Sequence, residues 1–262
     1  MINIKHLASI AIVSALITSP VFADEAAPES PSFHAYAFTG VKSGYICNGY
    51  LIYDKPALQS GAGVTYGGFD ANVWNTWGLG NGERTHFAGA GVNEVDYEVS
   101  YTHKFDGLVL KGSLNSWTYP DTDKAFDDWM LHTVVAYEDW WIRPEVDLRW
   151  GLEGQQGVIG TFKLSKKFAF TDTLSLTVWD YIAYASKAWR ERYGDDDAGF
   201  VDDQLAASLA WQASKNVSFS LGVEYDIIVA DKLRKAIDRG EAPEADGKKQ
   251  HLMFYVGASV FF

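Results

Sequence analysis

The stretch IRPEVDLRWG, residues 142–151, alternates apolar and charged side chains without a break. Its charged members are Arg143, Glu145, Asp147 and Arg149, and every residue between them is apolar. Successive side chains of a β-strand point to opposite faces, so this strand has one apolar face and one charged face. A soluble sheet would turn the charged face to water, whereas a membrane barrel would turn it inward. Other parts of the chain decide between these two arrangements.

The first 23 residues have the layout of a secretory signal peptide. Lys5 precedes a short apolar run, and a Val-Phe-Ala sequence ends at Ala23, which predicts cleavage after that residue. The apolar run is shorter than the roughly 20 residues that a spanning helix needs. We expect a short periplasmic segment at 24–32 and a single exported domain at 33–262.

Composition excludes several classes of protein. Cys47 is the only cysteine, so no internal disulfide forms. A net charge of −12 argues against a nucleic-acid partner. The chain has 14 Tyr, 10 Trp, 15 Phe and 24 Gly residues, and this richness in aromatic residues and glycine is typical of outer-membrane barrels. No cofactor is expected from the sequence.

The alternation of residues 142–151 recurs along the chain in segments of about ten residues, which is the pattern of membrane-spanning barrel strands. Counting the weaker examples gives an even number, as expected for a single-chain bacterial barrel. The predicted strands are residues 33–41, 57–66, 69–77, 94–104, 107–117, 129–137, 142–151, 158–165, 172–179, 205–211, 217–227 and 252–262.

The connections between these strands alternate in length. Those after even-numbered strands are short, and several of those after odd-numbered strands are long, as expected for periplasmic turns and extracellular loops. The sequence therefore predicts an all-β, up-and-down antiparallel barrel of about 12 strands in the outer membrane of a Gram-negative bacterium. The charges of residues 142–151 then face the lumen. Lipid and lipopolysaccharide would surround the barrel.

The last strand ends in an aromatic residue, Phe262. This ending resembles the signal by which bacterial outer-membrane proteins are recognised for assembly, and it implies the barrel-assembly machinery as a partner.

Two motifs lie around the first long loop: Ser43, Tyr45 and Gly49 form the first, and Pro56, Ala57 and Gln59 form the second. These motifs resemble those of the Gcw_chp family of proteobacterial outer-membrane proteins of unknown function. Residues 94–120 continue the similarity, with a Glu-x-Asp strand and a Tyr-Pro ending. Asn48 occupies the position of the usual arginine, so a role of that arginine does not carry over. The resemblance implies a barrel and does not specify a transported molecule.

The first functional hypothesis is a narrow porin-like channel for small polar or charged solutes. Charges that line a pore select ions and polar solutes by electrostatics, and twelve strands enclose a bore between those of eight- and sixteen-stranded barrels. Six of the ten lumen candidates are acidic and four are basic, which predicts a weak preference for cations. These candidates are Asp96, Glu98, Lys111, Arg143, Glu145, Asp147, Arg149, Lys163, Glu224 and Asp226.

Two alternatives remain open. The four charges of residues 142–151 sum to zero, and they could pair with one another or with Lys163 in a plugged barrel that has a structural or adhesive role. An outer-membrane enzyme is less favoured. His86 lies in a long outer loop, yet no serine motif accompanies it, and no pair of histidines has the spacing of zinc ligands. His132 is predicted to be a structural residue on the lumen face.

Two loop segments have distinctive patterns. Residues 193–203 are acidic, and their carboxylates suit calcium, but they lack the ordered spacing of a calcium loop. We interpret them as a solvated acidic loop. Residues 231–241 predict a short helix because Leu233 and Ile237 are four positions apart, and this helix could fold over the barrel mouth.

Overall fold

The computed structural model describes residues 9–11, 21–23, 32–48, 50–80, 93–120, 127–191, 197–240 and 248–262. The described residues form strands with two short helices between them. In chain order the strands are β1 (Ser9–Ala11), β2 (Val21–Ala23), β3 (Phe33–Lys42), β4 (Tyr45–Cys47), β5 (Tyr50–Tyr53), β6 (Ala57–Tyr66), β7 (Phe69–Gly78), β8 (Asn93–Phe105), β9 (Leu108–Thr118), β10 (Asp128–Tyr137), β11 (Arg143–Glu153), β12 (Val158–Ala169), β13 (Leu174–Ala185), β14 (Gly199–Gln212), β15 (Val217–Ile228) and β16 (Gln250–Phe261). The helices are α1 (Lys187–Glu191) and α2 (Asp231–Asp238).

Twelve strands, β3 and β6 to β16, form a closed antiparallel barrel. The seam joins the first and last of them, with Tyr255 opposite Lys42 and Phe261 opposite Tyr36. At the seam a Cβ atom on Gly40 would lie 2.8 Å from the carbonyl oxygen of Val256, so the close approach of β16 requires glycine there. The predicted fold class and all twelve predicted strands are confirmed. Because the barrel is closed, none of its strands has an unpaired edge. A β-structure that spans a bilayer must meet this condition.

The barrel has a turn side and a loop side. The turn side holds the connections 67–68, 106–107, 138–142, 170–173 and 213–216, together with the start of β3 and the end of β16. At the first of these turns Gly67 and Gly68 both have positive φ angles, 55° and 91°, as a two-residue hairpin turn requires. The loop side holds longer connections, except for the four-residue connection at 154–157. The predicted alternation of short turns and mostly longer loops is confirmed.

Several strands are longer than predicted, and three of them extend by four residues or more. β12 extends to Ala169, β13 extends to Ala185 and β14 begins at Gly199. Part of the acidic segment 193–203 is therefore a strand, and its interpretation as a solvated loop is wrong at Asp202, which is 0% exposed. The reason is pairing with β15, which holds Asp202 opposite Ile228. Residues 193–196 lie outside the described residues.

The outward-facing positions of the twelve strands are mostly apolar and exposed, as in Val99, Leu221 and Val256. Such a surface is typical of a lipid-facing barrel wall. Charged side chains that interrupt it include Lys166, Asp180 and Asp203. The ammonium group of Lys166 lies 5.9 Å from the centre of the Trp141 ring near the turn side. The carboxyl groups of Asp180 and Asp203 lie close to each other.

Two further findings concern segments other than the twelve barrel strands. The described ranges contain no helix that is long and apolar enough to cross a membrane. Within the predicted signal peptide, β1 and β2 pair with each other. Cleavage after Ala23 and the domain limits 24–32 and 33–262 stay predictions.

Candidate functional site

The inner wall of the barrel carries all ten of the predicted lumen residues. They lie on β8, β9, β11, β12 and β15, at positions that alternate with the exposed apolar ones. Asp96, Glu98, Glu145, Asp147, Arg149, Glu224 and Asp226 are buried, and Lys111, Arg143 and Lys163 are partly buried.

A chain of ion pairs crosses β8 to β11 on this inner wall. Lys111 Nζ lies 2.6 Å from Glu98 Oε1, and His132 Nδ1 lies 4.0 Å from Glu98 Oε2. The other ring nitrogen of His132, Nε2, lies 2.7 Å from Asp147 Oδ1. Arg149 then donates from NH2 to Asp147 Oδ2 at 3.1 Å. His132 therefore bridges two carboxylates, which agrees with its predicted structural role on the lumen face.

A second ion-pair group lies nearer the turn side. Arg143 NH1 pairs with Glu145 Oε2, and Lys163 Nζ lies 3.4 Å from Glu145 Oε1. The side chains of Lys163 and Arg143 are 13% and 21% exposed. Water therefore reaches this group more readily than the deeper ion pairs.

The wall formed by β13 to β16 and β3 is acidic. Lys42 Nζ lies 2.5 Å from Glu224 Oε2, and both side chains are nearly inaccessible to water. Asp226 and Glu224 are each 1% exposed. Because the predicted first strand ends at residue 41, Lys42 was not assigned to the lumen. Further buried polar residues were missed for similar reasons, since they lie at strand ends or outside the predicted strands: Glu94, Asp128, Asp202 and Gln204.

The lumen narrows toward the loop side because loop residues fold into it. In the connection between β3 and β6, Tyr45, Ile52 and Tyr53 are buried in a cluster with inward-facing residues such as Trp74 of β7 and Trp179 of β13. The rings of Tyr45 and Trp74 are 6.0 Å apart. We call the β4–β5 hairpin, residues 45–53, the plug hairpin.

The two short helices complete this apolar cluster. Trp189 of α1 and Leu233 and Ile237 of α2 are buried in it, so the predicted helix in 231–241 is confirmed over Asp231–Asp238. Because the same cluster contains inward-facing residues of β7, β10, β12, β13, β14 and β15, the helices and the plug hairpin lie across the loop-side mouth.

Cys47 lies in the plug hairpin and close to charges on strands spaced around the barrel. Glu94 of β8, Arg149 of β11 and Asp202 of β14 all act electrostatically on its thiol. Burial raises the pKa of the Cys47 thiol well above its usual range. Since the thiolate is the reactive form of cysteine, this thiol is poorly reactive.

An impermeant maleimide is expected to label Cys47 slowly on intact cells, because the hairpin faces the cell exterior but packs into the mouth. As controls in a Cys47→Ser chain, Lys235→Cys on the exposed face of α2 should react rapidly, and Asp139→Cys in an exposed turn only after the outer membrane is permeabilised. Mass spectrometry of the labelled protein gives the extents. Rapid reaction of Asp139→Cys on intact cells would reverse the assigned sides.

The residues of the family resemblance occupy structural positions at this mouth. Ser43 Oγ accepts a hydrogen bond from the backbone N–H of Phe254 at 2.9 Å, and the carbonyl oxygen of Pro56 accepts one from Leu79 at 2.7 Å. Ala57 is fully buried and Gln59 is partly buried. Gly49 lies outside the described residues. Asn48, at the position of the family's arginine, has a positive φ of 49° and donates to Cys47 Sγ at 3.4 Å.

His86 and Phe262 are the two remaining residues that the sequence analysis singled out. His86 lies outside the described residues, so the structure does not bear on it. The backbone N–H of Phe262 donates to the carbonyl oxygen of Ala35 at 2.8 Å, which attaches the end of the chain to the barrel seam. Its role as an assembly signal stays a prediction.

Comparisons with known proteins agree with the fold. No protein-family model and no curated protein sequence matches the chain. The KdgM porin, solved in complex with a disordered oligogalacturonate, is similar over 86% of this chain and 98% of its own, with a TM-score of 0.53 and 10% identity. The COG4313 outer membrane channel from Pseudomonas putida F1 is similar over 89% and 96%, with a TM-score of 0.54 and 9% identity. The NanC porin is similar over 86% and 98%, with a TM-score of 0.50 and 11% identity.

Proposed function

We propose that this chain is a narrow outer-membrane channel for small polar or charged solutes. The single observation that carries the proposal is a closed barrel whose outer face is apolar and whose inner face is lined with charge. Charges that line a lumen select solutes where water reaches them. The partly exposed residues Lys111, Arg143 and Lys163 line the turn-side part of the path, and the plug hairpin forms its constriction at the loop side. The similarity of shape to solved porins supports the same function.

Purified protein in a planar bilayer is expected to show a small, steady conductance with a weak preference for cations. The conductance is small because the loop-side mouth is filled by apolar side chains, and the preference arises because acidic groups outnumber basic ones among the ten lumen residues. Single-channel recording gives the conductance, and the reversal potential in a salt gradient gives the selectivity. If correctly folded protein gives no current in the bilayer, the channel proposal is wrong.

One observation favours a second candidate, a plugged barrel with a structural or adhesive role. Arg149, Asp147, Glu224 and Asp226 are each at most 5% exposed, as in a packed interior rather than a water-filled bore. In this second candidate the loops present a binding surface and nothing passes through the lumen. Neither candidate assigns a catalytic reaction, and the absence of enzymatic activity stays a prediction.

The surroundings of the barrel follow from the same proposal. Lipid and lipopolysaccharide would contact the apolar outer face, and the barrel-assembly machinery would recognise the strand that ends at Phe262. Membership of the Gcw_chp family is likewise a proposal. It is supported by the hydrogen bonds of Ser43 and Pro56 and by the burial of Tyr45 and Ala57 at the mouth.

A further inference from the structure

Three polar side chains meet on the acidic wall of the lumen, near its loop side. Gln204 of β14 lies directly opposite Asp226 of β15 and opposite Tyr181 of β13. The carboxyl group of Asp202, two positions before Gln204 on β14, lies close to that of Asp226. Asp202, Gln204 and Asp226 are at most 3% exposed, so these groups meet away from bulk water.

The meeting point contains more acceptors than donors, although the side-chain amide of Gln204 also lies close to the Asp226 carboxyl group. Both carboxylate oxygens of Asp226, Oδ1 of Asp202 and Oε1 of Gln204 are buried and have no hydrogen-bond partner. The remaining oxygen of Asp202, Oδ2, accepts a hydrogen bond from the Tyr181 hydroxyl at 3.0 Å. Two ionised carboxylates offer only lone pairs to each other, and their repulsion is strong in a buried setting. A positive charge between them would remove this repulsion and satisfy the amide oxygen as well.

The nearby basic side chains are already engaged. Lys42 pairs with Glu224, and the charge of this one ammonium group also reaches Asp226. Arg149, whose charge reaches Asp202, is hydrogen bonded to Asp147. On β16 the residue opposite Asp226 is His251. The wall therefore retains an excess of negative charge after its ion pairs are formed.

We propose that Asp202, Gln204 and Asp226 bind a divalent cation that prefers oxygen ligands, Ca²⁺ or Mg²⁺. In the described ranges no three His, Cys, Asp or Glu side chains are placed to hold a metal ion. The cation is therefore held by two carboxylates and one amide oxygen and retains water on its other positions, as Mg²⁺ commonly does. This proposal does not depend on conduction. Cation binding to the purified protein is measured in the same way whether or not solutes pass through the barrel.

The test uses the full chain in detergent micelles with Tb³⁺ as the probe. Tyr181, hydrogen bonded to Asp202, should sensitise Tb³⁺ luminescence, and excess Ca²⁺ or Mg²⁺ should displace the signal. The Asp202→Asn/Asp226→Asn chain is expected to bind Tb³⁺ at least tenfold more weakly. The matched control is Asp180→Asn/Asp203→Asn, which removes the same charge from the outward face of β13 and β14 and should leave binding unchanged.

Two results would overturn the proposal. One is equal Tb³⁺ affinity in the unaltered chain and the Asp202→Asn/Asp226→Asn chain. The other is no displaceable binding in the unaltered chain, which would mean that the two carboxyl groups share a proton instead. If the double variant does not fold, the single variant Asp226→Asn replaces it in the test. The same loss of Tb³⁺ affinity is then expected. A rise in the unfolding temperature of the unaltered chain with Ca²⁺, absent in Asp226→Asn, gives a second readout.

Discussion

Replacing Arg149 with methionine is expected to lower the free energy of unfolding by about 3–5 kcal/mol. The guanidinium group is 5% exposed and donates to Asp147 Oδ2 at 3.1 Å. Methionine approximates the volume of the side chain but removes its charge, so the buried carboxylate of Asp147 keeps only His132 as a partner at 2.7 Å. Breaking one side of a buried ion pair is costly because the other charge stays buried. Urea unfolding in micelles, followed by tryptophan fluorescence, measures the change.

Arg143→Met is the matched control for this experiment. Arg143 lies on the same strand and the same inner face, but its side chain is 21% exposed and Glu145 retains Lys163 as a partner. We expect a loss below about 1 kcal/mol and a stronger preference for cations in a bilayer, since a wet lumen position tunes selectivity more than stability. Equal, small losses in both variants would show that the lumen around Arg149 is filled with water.

Replacing residues 45–53 with a Gly-Ser linker of equal length is expected to raise the single-channel conductance at least twofold. The replacement removes Tyr45, Ile52 and Tyr53 from the apolar cluster across the mouth. It also removes the hydrogen bond from the Tyr53 hydroxyl to the carbonyl oxygen of Gly80, at 2.6 Å. The constriction then widens while the twelve strands that set the bore are unchanged. Planar-bilayer recording of both chains measures the difference.

The control for this replacement alters the same mouth without disturbing its packing. Lys187 and Glu191 form an exposed ion pair on α1, with 3.6 Å between Nζ and Oε1. Their joint replacement by alanine should leave the conductance unchanged. If the linker variant folds but conducts no better than the original chain, the constriction is the inner wall itself, and the plugged-barrel candidate is favoured.

The barrel could be predicted from the sequence because each spanning strand carries its own signal. Side chains alternate strictly along a strand, so the charges of residues 142–151 identify the inner face without knowledge of any neighbour. Strand ends were less predictable. β12 continues to Ala169 and β14 begins at Gly199, beyond the segments in which apolar and polar side chains alternate. Backbone pairing with an adjacent strand continues there although the side-chain pattern no longer indicates a strand.

The interior of the barrel could not be predicted in the same way. Whether Arg149 meets water or a carboxylate depends on His132, which β10 holds opposite Arg149, and on Asp147, which lies two positions before Arg149 on β11. The burial of Tyr53 and Leu233 depends on packing between loops far apart in the chain. Such contacts leave no local periodicity, so the sequence left the open and plugged alternatives undecided.

The seam between β3 and β16 has a consequence for the time that folding takes. It joins residues more than 200 positions apart, such as Tyr36 and Phe261, whereas the other ladders join strands that are neighbours among the twelve along the chain. Contacts between distant residues form slowly because a long stretch of chain must first be brought into a loop. Until they form, β3 and β16 each expose a strand edge that can pair with another molecule. The slow step of folding is therefore the meeting of the two ends of the domain, and a chain that lacks its last strand remains open to aggregation.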